Sequence, residues 1–200
     1  MQIVPIVLEG SHVRLEPAQR EHAEALWAVG NDPAIWRYIP YVMRDQRDME
    51  RHLERAEAEL AAGRGLLFTT MDRSSGQPIG GTGLWNVDRQ HRRLEIGSTW
   101  LTPRLQRTAA NTEAKLLMLR HCFEDLGCIR VEFKTDSLNQ RSRAALSRIG
   151  AVEEGIFRNH FIMPDGRYRH SVYFSIIDSD WPSVRCHLEA AIERGSARLK

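Results

Sequence analysis

Cysteine is scarce in this sequence: there are three residues, Cys122, Cys128 and Cys186, with no CxxC spacing. An odd, unspaced set argues against a disulfide framework or a cysteine zinc site and suits idle thiols in a reducing compartment. The histidines form no HxxxH or HxH pair, so no metal site is expected. Long apolar runs are missing too. No stretch approaches the roughly 18 residues of a membrane span, and MQIVPIVLEG lacks the basic start and long apolar core of a secretory signal. Nor does charge of one sign accumulate, because 28 basic residues face 26 acidic ones for a net +2. That near-balance gives no reason to invoke nucleic acid or an anionic membrane as a partner. Repeats, low-complexity tracts and Pro/Gly/Ser-rich linkers are absent, so residues 1–200 are expected to form one domain. The P-loop pattern, GxxxxGK followed by Ser or Thr, and the dinucleotide pattern GxGxxG are absent as well. This argues against an NTPase or a Rossmann enzyme. A soluble cytoplasmic protein is the expectation.

What the chain does contain is apolar periodicity. HVRLEP alternates Val13 and Leu15 with His12 and Arg14, as a strand does. Pro17 is expected in the first turn of a helix whose stripe holds Ala23, Leu26, Trp27 and Val29. DPAIWRYIP (32–40) reads as a Pro-bounded, aromatic-rich connection. From about Asp45 a longer helix carries Met49, Leu53, Ala56 and Leu60 on one stripe and stops at Gly63. LLFTTM, PIGGTGLWNV and RRLEIGSTWL read as an antiparallel meander. A helix with Leu116, Leu119, Phe123 and Leu126 follows, then the strand CIRVEFKT and a second loop-to-helix unit, DSLNQRSRAALSRIG. A hairpin around M-P-D-G-R (163–167) and the amphipathic helix WPSVRCHLEAAIE close the chain. The order β-α-α-β-β-β-α-β-α-β-β-α predicts an α/β (α+β) fold, with a mixed sheet of about seven strands flanked by helices.

PRLQRTAANTEAK (103–115) runs from a strand into a helix without a single glycine. A helix N-terminus presents unpaired N–H donors and partial positive charge, so it can hold a pyrophosphate. A loop that wraps phosphate in backbone N–H groups usually needs glycine, because a Cβ blocks close approach. Read alone, the stretch is an ordinary helix start or an anion site with its glycines replaced.

Its surroundings resemble the GNAT superfamily of acyl-CoA-dependent N-acetyltransferases, in the branch that includes the ribosomal-protein N-acetyltransferases RimJ and RimL. LEIGSTWL (94–101) is similar to the family's central strand, and PRLQRTAANTEAKLLMLRHCFEDLG to its pyrophosphate loop and helix. IRVEFKTDSLNQRSRAALSRIGAVEEG resembles the unit bearing an Asn-x-x-Ser pattern, and RNHFIMPDGRYRHSVYFSIID the terminal hairpin. GSHVRLEPAQREHAEAL matches the family's opening, so the likeness covers nearly the whole chain.

The resemblance implies a mostly antiparallel sheet with splayed central strands and acetyl-CoA as co-substrate. The pantetheine arm would lie in the splay on backbone groups of Trp100, Leu101 and Thr102. Gln106 and Arg107 would open the pyrophosphate loop, with Thr108, Ala109, Ala110, Asn111 and Thr112 completing it. Ala109 and Asn111 stand where the family has glycine; Asn tolerates the left-handed conformation, and Thr108 and Thr112 could add hydroxyl donors. Asn139 would touch the pantetheine arm and Ser142 protonate the departing thiolate; the plain alternative is an N-cap and a surface serine.

Glu95 is the leading base, or else a structural carboxylate paired with Arg92 or Arg93. No carboxylate stands in IFRNHFIM, where RimL-type members place one, so His160 could deputise or simply face the hairpin. Trp36 and Tyr38, flanking Arg37, would border the acceptor, or else pack the core. No metal is implied. The acceptor would be a protein N-terminal amine or a small amine, acetylated directly in a ternary complex, and a homodimer is implied by analogy. The alternative is a non-catalytic acyl-CoA-binding sensor or interaction protein.

Overall fold

The computed structural model describes residues 1–106 and 108–197. Among these residues eight strands form one sheet: β1 (Leu8–Glu9), β2 (Val13–Pro17), β3 (Leu66–Asp72), β4 (Pro78–Asp88), β5 (Arg93–Leu101), β6 (Arg130–Asp136), β7 (Val152–Ile162) and β8 (Tyr168–Ile177). Their spatial order is β1-β2-β3-β4-β5-β6-β8-β7. Every neighbouring pair is antiparallel except β5–β6. The strand beyond the seven expected is β1, which at two residues is too short to leave a periodic trace in sequence.

Among the described residues six helices flank the sheet: α1 (Ala23–Gly30), α2 (Pro33–Trp36), α3 (Gln46–Ala61), α4 (Ala109–Arg120), α5 (Gln140–Arg148) and α6 (Trp181–Ala197). None of the helices among the described residues is long and apolar enough to cross a membrane. Pro17 departs from expectation. It ends β2 opposite Phe68, and α1 begins only at Ala23 after a short 3-10 turn. The connection 32–40 contains α2, one turn started by Pro33 and capped by the Asp32 side chain, which accepts from Ala34 N at 2.9 Å. α3 starts where the sequence places it, with Asp45 capping Asp48 N at 2.9 Å. α4 runs on into a π-helical turn, His121–Asp125.

Alternation along the strands divides the apolar residues between the two faces of the sheet. Leu66, Phe68, Leu94, Ile96 and Leu101 pack with α4, α5 and α6. Leu67 and Trp100 pack with α1, α2 and α3. Within the first of these layers α4 is buried almost all round, Glu113 and Lys115 included. Glu113 explains its own burial: its carboxylate accepts from Ser11 N, His12 N and Val13 N at 2.7–2.8 Å. Three charge-assisted bonds tie α4 to the chain entering β2. Gly10 is required there, since a Cβ would collide with that carboxylate.

Candidate functional site

One interruption of the sheet makes the cleft. β5 and β6 pair only at Arg93–Arg130, Leu94–Val131 and Glu95–Glu132. β5 then continues to Leu101 and β6 to Asp136 without pairing to each other. The divergence coincides with a bulge. Gly81 faces Trp100 but Gly83 faces Gly97, so β5 carries an extra residue, which Ser98 takes up at φ 51°. A bulge bends its strand and sharpens its twist, which here turns β5 away from β6. Backbone groups along both inner edges are left to bond with something other than each other. The gap widens into a cleft of about 620 Å³.

At one end the cleft is walled by the starts of α4 and α5. Gln106, Thr108 and Asn111 line it, as do Asn139, Arg141 and Ser142. Thr108 is the N-cap of α4: its hydroxyl accepts from Ala110 N at 3.3 Å and donates to Leu105 O at 2.7 Å. Ala109 and Asn111 both have right-handed helical backbone, so neither position calls for glycine, and Asn111 makes no use of its tolerance for the left-handed region. Ala110 is buried in the core, and Thr102, Ala109 and Thr112 lie off the cleft wall. Arg107 falls outside the described residues. Gln106 reaches both ways, donating to Leu101 O at 2.9 Å while its carbonyl accepts from Arg141 at 2.6 Å. The carbonyl of Leu101, expected to be open for an added strand, is therefore taken. Arg141 was missed in the sequence, where it reads as one more charge on an exposed helix face.

Asn139 is the N-cap of α5, its oxygen accepting from Ser142 N at 3.1 Å. The capping alternative thus describes its carbonyl, while its amide nitrogen bonds to no described residue. Ser142 lines the cleft one turn on.

Lys115 sits in the middle of the cleft wall and was not singled out from sequence. Its ammonium, buried and without a carboxylate within 4 Å among the described residues, donates to Thr99 Oγ1 at 2.7 Å and Thr82 Oγ1 at 3.2 Å. Both threonines flank the β5 bulge. Burial pushes its pKa down to about 7.

Glu95 marks the other end. It is 4% exposed, and Oε2 accepts from Asn86 Nδ2 and Lys134 Nζ, each at 2.8 Å. Oε1 has no partner among the described residues and lies beside Gly97, where a Cβ would stand 2.8 Å away. The alternative pairing with arginine does not occur: Arg93 turns instead to Glu132 at 3.0 Å and Asp88 at 3.1 Å. Asn86 reaches Glu95 from a second bulge, on β4, at φ 51°.

Tyr38 lines the cleft near Glu95. Trp36 does not: its ring is 6% exposed, packs on Trp100 with centroids 5.1 Å apart, and donates to Gly30 O at 2.6 Å. The core alternative describes Trp36. Tyr41 lines the cleft in its place, stacked on His52, its hydroxyl beside Ser98. His160 lies off the cleft wall among the rings of Phe157, Phe161 and Tyr173, its Nδ1 buried and without a partner among the described residues. Burial, then Lys134 and Arg169, lower its pKa, with Glu95 pulling the other way. Arg169, also unforeseen, completes this end.

Among the described residues no three His, Cys, Asp or Glu side chains gather to hold a metal. The arrangement offers an open strand edge, helix-start donors with a nearby arginine, and a carboxylate at the far end of one continuous cleft.

The comparisons with known proteins agree with this layout. Residues 12–152 match the Acetyltransferase (GNAT) domain family. YdaF of Bacillus subtilis, whose name assigns it provisionally to ribosomal N-acetylation, is 31% identical over 106 residues, 53% of this chain and 57% of that relative. The aligned stretch thus spans little more than half of YdaF. The crystal structure of a GCN5-related N-acetyltransferase from Brucella melitensis superposes with a TM-score of 0.87 at 30% identity, covering 95% of this chain and 86% of that one. Mycobacterium smegmatis RimJ, solved with CoA-disulfide, has a TM-score of 0.79 at 24% identity over 96% and 94% of the two chains, a likeness of fold. With the family match extending from β2 to the start of β7, across both strands of the splay, this chain belongs to the GNAT acetyltransferase family.

Proposed function

We propose that this cleft takes acetyl-CoA and that the protein transfers the acetyl group directly to a primary amine in a ternary complex. The observation that carries the reading is the continuity of the cleft, from the capped starts of α4 and α5, along the open edge of β5, to Glu95. The pyrophosphate would lie at the start of α4, capped by Thr108, against the side-chain donors of Gln106 and Asn111 and the Arg141 guanidinium rather than glycine backbone. The pantetheine arm would add to the free edge of β5 beyond Glu95 as a further strand, with the Asn139 amide beside it.

The chemistry asks for three things: a neutral amine at the carbonyl carbon, a place for its proton, and a proton for the departing thiolate. Glu95 Oε1, beside Gly97 and without a partner among the described residues, would take the amine proton directly or through water. Ser142, on the α5 side, would supply the proton to sulfur. His160 stays a weaker candidate for base, because it lies off the cleft wall with its ring packed on three aromatic side chains. No cysteine lines the cleft to carry the acetyl group, which favours direct transfer over a double displacement. The acceptor is either the N-terminus of a protein or a small amine.

Ser142→Ala tests the assignment. The expected result is a fall in kcat of about 100-fold with CoA affinity, measured by calorimetry, unchanged. An unaltered kcat removes Ser142 from the mechanism.

A further inference from the structure

Arg169 is a buried cation that the transfer chemistry does not use. It is 4% exposed and forms part of the cleft wall with Tyr38, Glu95, Lys134 and Phe161. Its Nε donates to Ser171 Oγ at 3.1 Å and its Nη1 to Tyr38 O at 3.0 Å, and the guanidinium lies 5.4 Å from the Phe161 ring centroid. Among the described residues no carboxylate comes within 4 Å of it, and Nη2 donates to none of them. Burial lowers its pKa, yet an arginine stays charged in any protein. Two neutral oxygens and an aromatic face are thin compensation for a desolvated guanidinium.

Asp136 and Glu95 act on Arg169 from beyond 4 Å, and each is held by a closer cation. Lys134 is neutralised by Glu95 at 2.8 Å, and Arg167 by Asp136 at 2.7 Å. His160, pushed below its ordinary value, adds no negative charge. Of these cations Arg169 is thus the one left without a carboxylate of its own, at the place where an acceptor that arrives as an ammonium must bind. A plain amine would be repelled. An amine bearing an anion would be drawn in, with its negative group answering Arg169 and its nitrogen facing Glu95. The planar fork of a guanidinium, with Nη2 open, suits a carboxylate.

Resting on the acetyl-transfer reading above, we infer that the acceptor is an amine carrying a carboxylate a few bonds from its nitrogen, as in a free amino acid, and that Arg169 holds that carboxylate. The test is the rate of CoA release from acetyl-CoA with matched pairs of amines: phenylalanine and phenethylamine, tryptophan and tryptamine, leucine and isoamylamine, histidine and histamine. In at least one pair the wild-type protein should favour the carboxylate-bearing member by about 100-fold in kcat/KM. Arg169→Gln should collapse that ratio toward one by raising KM for the acid more than it lowers kcat, with acetyl-CoA affinity retained, and Arg169→Lys should restore part of it.

Equal rates within every pair, or a preference for the decarboxylated members, would overturn the inference while leaving acetyl transfer intact. Release with no amine at all would overturn both. A uniform loss on both members of a pair in Arg169→Gln would make Arg169 a structural tie to the Tyr38 carbonyl and overturn its role. Should that variant fail to fold, the wild-type ratio still decides the substrate class.

Discussion

Lys115 shows what a single residue conceals in sequence. In TEAKLLMLRHC it reads as a solvated charge beside Glu113, yet both are buried, because α4 is packed against the sheet as well as against α6. Its folded pKa of about 7 lies below the value near 10.4 of an exposed lysine. Between those values the unfolded chain holds the extra proton. The cost of keeping a charged ammonium inside is thus fully felt below about pH 7 and relieved as pH rises toward 10. Relative to Lys115→Met, the wild-type protein should gain stability with pH across this window by at most about 1.4 kcal/mol per unit. Urea unfolding of both proteins at about pH 6 and about pH 9 measures it. A difference independent of pH would mean that Lys115 titrates normally. Arg169 was hidden for the same reason: alternation along YRHSVYFS gives the face of Arg169, but not the absence of a carboxylate opposite it. Asn139 and Ser142 were legible, since a cap and an i to i+3 partner are set by local geometry alone.

At the scale of elements, periodicity located nearly every strand and helix, because alternation and helical stripes both report which face is buried. It failed where the signal is short or tertiary. β1 has two residues, α2 is a single turn, and Pro17 closes a strand beside Phe68 when its fixed φ would equally suit a helix start. The splay was not visible in LEIGSTWL itself, because nothing in a strand's own alternation says where its neighbour stops pairing. Its cause, the bulge at Ser98, lies in register between β4 and β5. This predicts a local pattern of hydrogen exchange. Amides of β5 beyond Gly97 that face the gap should exchange faster than those of Leu94 and Ile96, and CoA should protect them while leaving β2 and β3 unchanged. Equal protection along β5 without ligand, or no change on adding CoA, would mean that the cleft edge is not where the pantetheine arm binds.

For the whole molecule, the sheet with two helical layers accounts for what the cleft can do. The core is assembled on both faces, and the only parallel pair among the described residues comes apart in the centre, opening a passage from the helix starts to Glu95. The absence of glycine from PRLQRTAANTEAK does not count against the proposed pyrophosphate site: Ala109 and Asn111 are helical, Thr108 caps the helix, and side chains would supply the donors. The central claim is that acetyl-CoA and an amine occupy this one cleft together. Initial rates of CoA release, with acetyl-CoA and a carboxylate-bearing amine varied independently, test it most directly. Release should depend on the amine, with double-reciprocal lines that intersect. Parallel lines, or release indifferent to every amine offered, would contradict it.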